Sequence, residues 1–409
     1  MLRTITLVRR LPTRATPAFS SSTPWSTTAP ALSSLTSSSS LPTNITPSSH
    51  DQQRRNYACQ IHHPTKLGQL RAKLRAFGQG HIELDLHHSP GLALLTLTNP
   101  AKHNALTGKM MAELADCVDL LETVTDPKRK QEGRQGEDEE LEEDVRQLLK
   151  GSGLLLKSKG VAVQKLDRET LKVLKDGLVG IIVTGSQHKS YCAGLDLSAA
   201  KTTLLTPQAG AEMSALMAST LTRFMRLPIV SIAAIEKAAI GGGAEMTTFC
   251  DHRCISDQAK IQFVQTQMGV VTGWGGASRL LNLVSRSQAL RLLGSAEPIR
   301  GGEEALKLGF GQAVSPVGKA VEGASEYMQQ YVWETAPATA TVGHGQDAEG
   351  GARRCVEAVR AMKRIVSFGL DYERVERVLD LEKDLFKGLW GGPDNLARVE
   401  AASAPKKKK

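Results

Sequence analysis

Apolar residues alternate with polar ones in Ile82-Glu83-Leu84-Asp85-Leu86, the period of a half-buried strand. Gly91 to Thr98 reads as a second strand, and Ser89-Pro90 turns the pair into a hairpin. Thr107 is an N-cap candidate for a helix with Met110, Met111, Leu114, Val118 and Leu121 on its apolar face. The unbroken apolar run from Leu178 to Thr184 predicts a buried strand. A helix over about 210–226 follows, with Met213, Leu216, Met217, Leu221, Phe224 and Met225 facing inward and Pro228 ending it. Ile229 to Ile235 is a second buried strand, followed by short ones near 253–256 and 260–264. Helices from Ala277 onward offer Leu280, Leu281, Val284, Leu290, Leu292 and Leu293 to a core, and 352–388 reads as two terminal helices. Strands alternating with helices predict an α/β domain built on a mostly parallel sheet.

Several stretches break the pattern. Residues 58–79 are basic and read as irregular. Residues 126–177 interrupt the core as a charged insertion. Glu137 to Asp144 is acidic at seven of eight positions, which predicts a solvated segment, helical in part around 141–149 and 168–174. Residues 335–351, rich in Ala, Thr and Gly, form a second insertion. The core thus spans 80–334, a helical region 352–400, and a disordered basic tail 401–409.

Composition adds an address and removes some functions. The first 50 of the 409 residues hold no Asp or Glu and are rich in Ser, Thr and Arg. Residues 1–57 therefore read as a mitochondrial transit peptide, cut after Tyr57 in Arg55-Asn56-Tyr57-Ala58, with the matrix as destination. The formal charge of +9 lies mostly in that leader and in Lys406 to Lys409, so the body is near neutral and gives no support to nucleic-acid binding. No run matches the roughly 18–20 apolar residues of a membrane span. Six scattered cysteines lack metal-site spacing and read as buried free thiols.

The candidate chemistry centres on a glycine turn. Gly241-Gly242-Gly243-Ala244-Glu245 follows the strand 229–235 and opens a helix. Such a turn brings free N–H groups and a positive dipole end close to a ligand, where a carbonyl oxygen gaining charge would be held. Glu245 places a titratable group beside it.

Three pieces occur in order: Asn99-Pro100-Ala101-Lys102-His103-Asn104-Ala105-Leu106, Tyr191-Cys192-Ala193-Gly194-Leu195-Asp196-Leu197, and Gly241 to Glu245 followed by Cys250-Asp251. Together they resemble the crotonase (enoyl-CoA hydratase/isomerase) superfamily over 80–125 and 178–330. The resemblance implies a crotonase-type spiral of ββα units with a C-terminal helical trimerisation region. It implies a homotrimer or dimer of trimers, and an acyl-CoA thioester as substrate. No metal is implied, and no cofactor beyond the substrate's own coenzyme A. Carried onto this chain, the N–H groups of Leu195 and Gly242 form an oxyanion hole. Lys102, His103, Asn104, Ala105 and Leu106 contact the CoA moiety, and Ala193, Gly194, Asp196, Gly241 and Gly243 shape the acyl site. Asp196 fixes its loop, and Trp274 either lines the acyl pocket or packs.

Members that hydrate a double bond use two carboxylates. Glu245 matches the first, but the position of the second is Gln265, which is neither acid nor base at neutral pH. Residues 220–290 are most similar to decarboxylase members, which remove CO2 from ethylmalonyl-CoA and less well from methylmalonyl-CoA as metabolite repair. That chemistry needs an enolate-holding oxyanion hole and one proton donor. Glu245 is the candidate donor if burial raises its pKa, and Gln265 a candidate hydrogen-bond donor to the substrate carboxylate. A hydratase or isomerase, a thioester hydrolase and a non-catalytic scaffold stay open as alternatives.

Overall fold

The alternating run His81–Ser89 forms β1 and pairs antiparallel with β2, Leu92–Thr98, burying Ile82, Leu84 and Leu95 completely. The computed structural model that shows this describes residues 64–125, 137–163, 166–188, 190–201, 204–333, 353–368 and 372–403. Residues 1–57, read above as a transit peptide, the segment 335–351 and the last six residues lie outside the described residues.

After the hairpin come β3 (Leu155–Ser158), β4 (Val161–Val163), β5 (Gly180–Gly185) and β6 (Val230–Ile235). The short strands β7 (Ala238–Ile240), β8 (His252–Ser256), β9 (Lys260–Gln262), β10 (Ile299–Arg300) and β11 (Ala313–Ser315) complete the set. One sheet runs in the order β11-β8-β6-β5-β2-β1-β3-β4, parallel from β2 through β5, β6 and β8 to β11; β10, β9 and β7 form a smaller sheet. This is an α/β arrangement on a mostly parallel sheet, as the resemblance implies, with helices at the C-terminal end.

The central strands are apolar throughout because both of their faces are covered. Ile181 and Val183 of β5 join the main core, whereas Ile182 between them joins a second cluster under the helix Ala320–Val332. Ala233 and Ile235 of β6 divide from Val230 and Ile232 in the same way.

Four expectations need correction. Segment 58–79 is not irregular: Pro64–Arg75 is a helix. Its Arg71 and Arg75 read as loose charge in the sequence, but they pair with Asp116, and Arg71 also with Asp119, on the helix Gly108–Thr125. The insertion is not simply solvated. Helix Glu137–Leu149 buries Leu141 and Val145, four residues apart on one face of the acidic run, and β3 pairs parallel with β1 to lengthen the sheet. In the core after Ala277, Leu281 and Leu290 are exposed: Leu281 is the C-cap that follows helix Gly276–Leu280, and Leu290 lies on helix Arg286–Gly294 away from the face that buries Ala289 and Leu292. The C-terminal region has three helices rather than two: Val356–Phe368, Tyr372–Leu389 and Pro393–Ser403, the last running past Ala401.

Of the six cysteines expected to be buried, Cys117, Cys192, Cys250 and Cys254 are buried free thiols, Cys355 is instead exposed, and Cys59 lies outside the described residues. No described helix is long and apolar enough to cross a membrane.

Candidate active site

Two isolated bridges sew the three distant sequence pieces together. Leu106 pairs with the Gly194–Asp196 segment: its N–H donates to the Gly194 carbonyl at 2.7 Å, and the Asp196 N–H donates to the Leu106 carbonyl at 2.8 Å. Cys192 pairs with β7 through the Cys192 N–H to the Ala238 carbonyl, 3.2 Å, and the Ile240 N–H to the Cys192 carbonyl, 2.9 Å. The loop after Cys192 is thereby pressed against the glycine turn. An ideal Cβ on Gly194 would lie 2.7 Å from the Ile240 carbonyl oxygen, and one on Gly243 would lie 2.0 Å from that of Cys192. Only glycine permits so close an approach of two backbones.

Asn104 braces this arrangement. Fully buried and left-handed at φ 57°, it accepts from the Asn99 N–H at 3.0 Å and donates to the carbonyls of Ser186 and Ser190 at 3.0 and 2.8 Å. Ala105 and Leu106 are buried behind it, while Lys102 and His103 are exposed. The carbonyl of His103 accepts from the Ala193 N–H at 3.1 Å. Of the five residues expected to contact CoA, only Lys102 and His103 thus present side chains to a ligand. Asn104, Ala105 and Leu106 hold the neighbouring loop. Asp196 caps the short helix Leu197–Ala200 through Ser198 and Ala199, which places it as a loop anchor.

Ala193, Gly194, Leu195, Gly241, Gly242, Glu245, Gln265 and Trp274 come together around one cavity of about 220 Å³. Apolar side chains, including Met213, Ile240 and Val270, make up most of its wall. The N–H groups of Leu195 and Gly242 have no hydrogen-bond partner among the described residues, unlike Gly241, whose N–H donates to Gln262 at 2.8 Å. Gly243 lies behind the turn rather than on the wall. Trp274 packs on Gly242: a Cβ there would meet its ring at 2.3 Å, so the indole both lines the cavity and closes one side of the turn.

Glu245 is the cavity's one ionisable side chain among the described residues. Its Oε1 accepts from Gln265 Nε2 at 2.8 Å and the Gly273 N–H at 3.3 Å; its Oε2 accepts from the N–H groups of Trp274 and Gly276 at 2.8 and 3.0 Å. The carboxyl is therefore set in a cradle of four donors, three of them from the turn after Thr272. Burial and then the charge of Glu382 push it up to about 7, against the pull of the Trp274 and Gly276 amides and of Arg279. Gln265 spends a donor on Glu245, and its Oε1 is buried without a partner. In this orientation the amide does not aim that N–H at a substrate carboxylate, as its sequence position suggested. Burial also pushes the Cys192 thiol up to about 12, which disfavours the thiolate that a nucleophile needs.

Sequence reasoning missed the contribution of the C-terminal helices. Phe386 and Trp390 form part of the cavity wall, stacked on each other with ring centres 5.0 Å apart, and Asn395 and Val399 line it from the last helix. Glu382, Phe386 and Trp390 follow one another at intervals of four, the spacing of one helix face. That inward face was the available signal. Among the described residues, no three His, Cys, Asp or Glu side chains gather as metal ligands.

The family model for enoyl-CoA hydratase/isomerase matches residues 168–349. Ethylmalonyl-CoA decarboxylase from Rattus norvegicus is 32% identical over 329 residues, which cover 80% of this chain and 85% of the relative. Its namesake from Gallus gallus is 33% identical over 348 residues, covering 84% and 91%. The fold is similar to that of an enoyl-CoA hydratase/isomerase from Xanthobacter autotrophicus Py2, at TM-score 0.55, 17% identity, and coverage of 80% of this chain and 93% of that one. An enoyl-CoA hydratase/isomerase from Mycobacterium paratuberculosis matches at TM-score 0.54 and 16% identity, covering 78% and 98%. On the identity and extent of the match to these relatives, the chain belongs to the enoyl-CoA hydratase/isomerase family.

Proposed function

We propose that the chain is a carboxy-lyase of the ethylmalonyl-CoA decarboxylase kind, acting on ethylmalonyl-CoA and less well on methylmalonyl-CoA. Relatives bearing that name match most of its length. The observation that carries the reading is the pairing of two unengaged backbone donors with a single, already cradled carboxyl in an apolar cavity. Hydration of a double bond calls for a second acid or base, and the wall of the cavity offers Gln265 in its place.

The step follows from those groups. The bond between the α-carbon and the substrate carboxylate breaks, and CO2 leaves. The electron pair moves into the thioester as an enolate. Its oxygen takes the N–H groups of Leu195 and Gly242, a pair of donors each worth about 10²–10³ in rate when aimed at the developing charge. Protonated Glu245 then gives its proton to the α-carbon, and solvent restores it. Gln265 can serve both states of the carboxyl, donating through Nε2 to the anion and, with its amide turned, accepting through Oε1 from the acid. No cofactor takes part beyond the CoA of the substrate, and the exposure of Lys102 and His103 is compatible with contact to its phosphates.

The same reading makes the protein a metabolite-repair enzyme of the mitochondrial matrix, with residues 1–57 removed on import. It assembles as a homotrimer or dimer of trimers. Exposed Met362, Ile365, Val366, Leu381 and Leu385 on the C-terminal helices support that assembly. The test is incubation of the protein starting at Ala58 with ethylmalonyl-CoA, methylmalonyl-CoA and crotonyl-CoA, with products read by mass. Loss of CO2 from the branched esters with crotonyl-CoA intact is the expected result. Hydration of crotonyl-CoA alone would overturn it.

A further inference from the structure

The turn that cradles Glu245 is held from its other side by a second buried carboxylate. Glu382, on the helix Tyr372–Leu389, accepts from the Gly275 N–H at 2.9 Å and the Ser278 N–H at 3.3 Å and is 5% exposed. Along the chain the amides therefore divide: 273, 274 and 276 go to Glu245, and 275 and 278 to Glu382. Arg279 is the cation near both. It is itself buried, donating to the Trp274 carbonyl at 2.5 Å and the Thr248 hydroxyl at 3.1 Å. The helix 207–226 also packs against helix 372–389, but its Glu212 is engaged by Lys73 and its Arg223 by Asp119 and Glu122. Two carboxyls and one guanidinium thus share a buried interior, and two full negative charges there are costly.

We propose that Glu382 is a positioning residue for Glu245, fixing through their shared turn both the placement of its carboxyl and its hold on the proton that decarboxylation consumes. The same helix face supplies Phe386 and Trp390 to the cavity wall, so docking of this helix closes the substrate pocket and sets the charge of the acid in one event. Burial raises Glu382 as well, opposed by a hydrogen bond from Thr272 and by Arg279. The inference rests on the reading of Glu245 as proton donor, but its test does not depend on turnover.

The test uses the full chain labelled at the glutamate carboxyl carbons with 13C, the Glu245 signal being assigned by its loss in Glu245→Gln. In the unsubstituted protein that signal is expected to titrate in two steps, as coupled carboxyls do. In Glu382→Gln its midpoint is expected to fall by about one pH unit, since a neighbouring like charge has been removed. The upper limb of the kcat profile should move with it, while KM changes less than about threefold. Glu382→Asp keeps the charge and shortens the reach, so the midpoint should stay near the original while kcat falls. An unchanged midpoint in folded Glu382→Gln would overturn the proposal. If that variant does not fold, a single step in the ordinary carboxylate range in the unsubstituted protein would overturn it, and two steps would support it. Absence of CO2 release by the unsubstituted protein would count against the decarboxylase reading and leave the titration result standing.

Discussion

Replacing Gly194 with alanine tests whether the two free N–H groups act as a pair. Gly194 has φ +87°, and an added Cβ would stand 2.7 Å from the Ile240 carbonyl oxygen and 3.1 Å from the Gly242 nitrogen. Ordinary contact begins at 3.4 Å, so the loops must part by roughly 0.7 Å at the nearest point. The displaced atoms are backbone, which cannot rotate away. One of the two donors belongs to Leu195, the next residue, and the other is the nitrogen being pushed, so the separation of the donors changes directly. A misplacement near 1 Å costs about 10²-fold in rate, and the unfavourable φ adds about 1–3 kcal/mol of destabilisation. Release of CO2 from ethylmalonyl-CoA should therefore lose about 10² in kcat/KM, chiefly through kcat, because the lost interaction belongs to the transition state. Gly318→Ala is the control. Gly318 has φ +81° and nothing within 4 Å of its Cβ position, so that variant carries the backbone strain without the clash. It should lower the melting temperature with kcat/KM little changed. Activity of Gly194→Ala within threefold of the unsubstituted protein, with a native circular-dichroism spectrum, would refute the assignment of the oxyanion site to these two loops.

Asn104→Ala removes the buried amide that ties residues 99–105 to 186–190, and should cost about 2–4 kcal/mol in urea denaturation because it strands several backbone groups. Arg360→Ala uncovers the carbonyls of Leu174, Lys175 and Leu178 at the end of helix Arg168–Gly177. Hydrogen exchange over 168–178 should quicken, and stability should fall by about 2–3 kcal/mol. Burial pushes His252 from 6.5 down to about 4, so the fold holds the neutral ring, hydrogen-bonded to the Tyr331 hydroxyl. That stability is present above the unfolded pKa of 6.5 and is lost as the pH falls through the folded value of about 4, by about 3 kcal/mol in all. His252→Phe should flatten the dependence of unfolding free energy on pH over this window.

Much of the fold was legible because its strands carry a one-dimensional signal. The apolar runs at 178–184 and 229–235 can only be buried on both faces, and both lie at the centre of the parallel sheet. The acidic stretch 137–144 misled because charge density hides two residues, Leu141 and Val145, that suffice to dock a helix. Helix Pro64–Arg75 was hidden for the complementary reason. Its arginines answer acids more than 40 positions away, and no local pattern announces that.

The candidate site divides along the same line. Its two donors are backbone N–H groups, and backbone leaves no residue type to read, only the glycines that let chains approach. Gly194, Gly242 and Gly243 are informative because each side chain they lack would collide with a named atom of the opposing loop or of Trp274. The acid is different. Glu245 could be read as a carboxyl beside the turn, yet nothing within 20 residues of it shows that its oxygens are filled by residues 265 to 276. Nor could its sequence neighbours reveal that a carboxylate at 382 takes other amides of the same turn. A proton donor for carbon must be an acid at neutral pH while the four N–H groups around it favour the anion. Those demands conflict inside Glu245 alone. Burial raises the acid first, and a second charge adds to it by making the doubly ionised state expensive; that charge sits on the helix that also walls the pocket. On the proposed reading, the proton held by Glu245 is thus a property of the whole site, the C-terminal helix included.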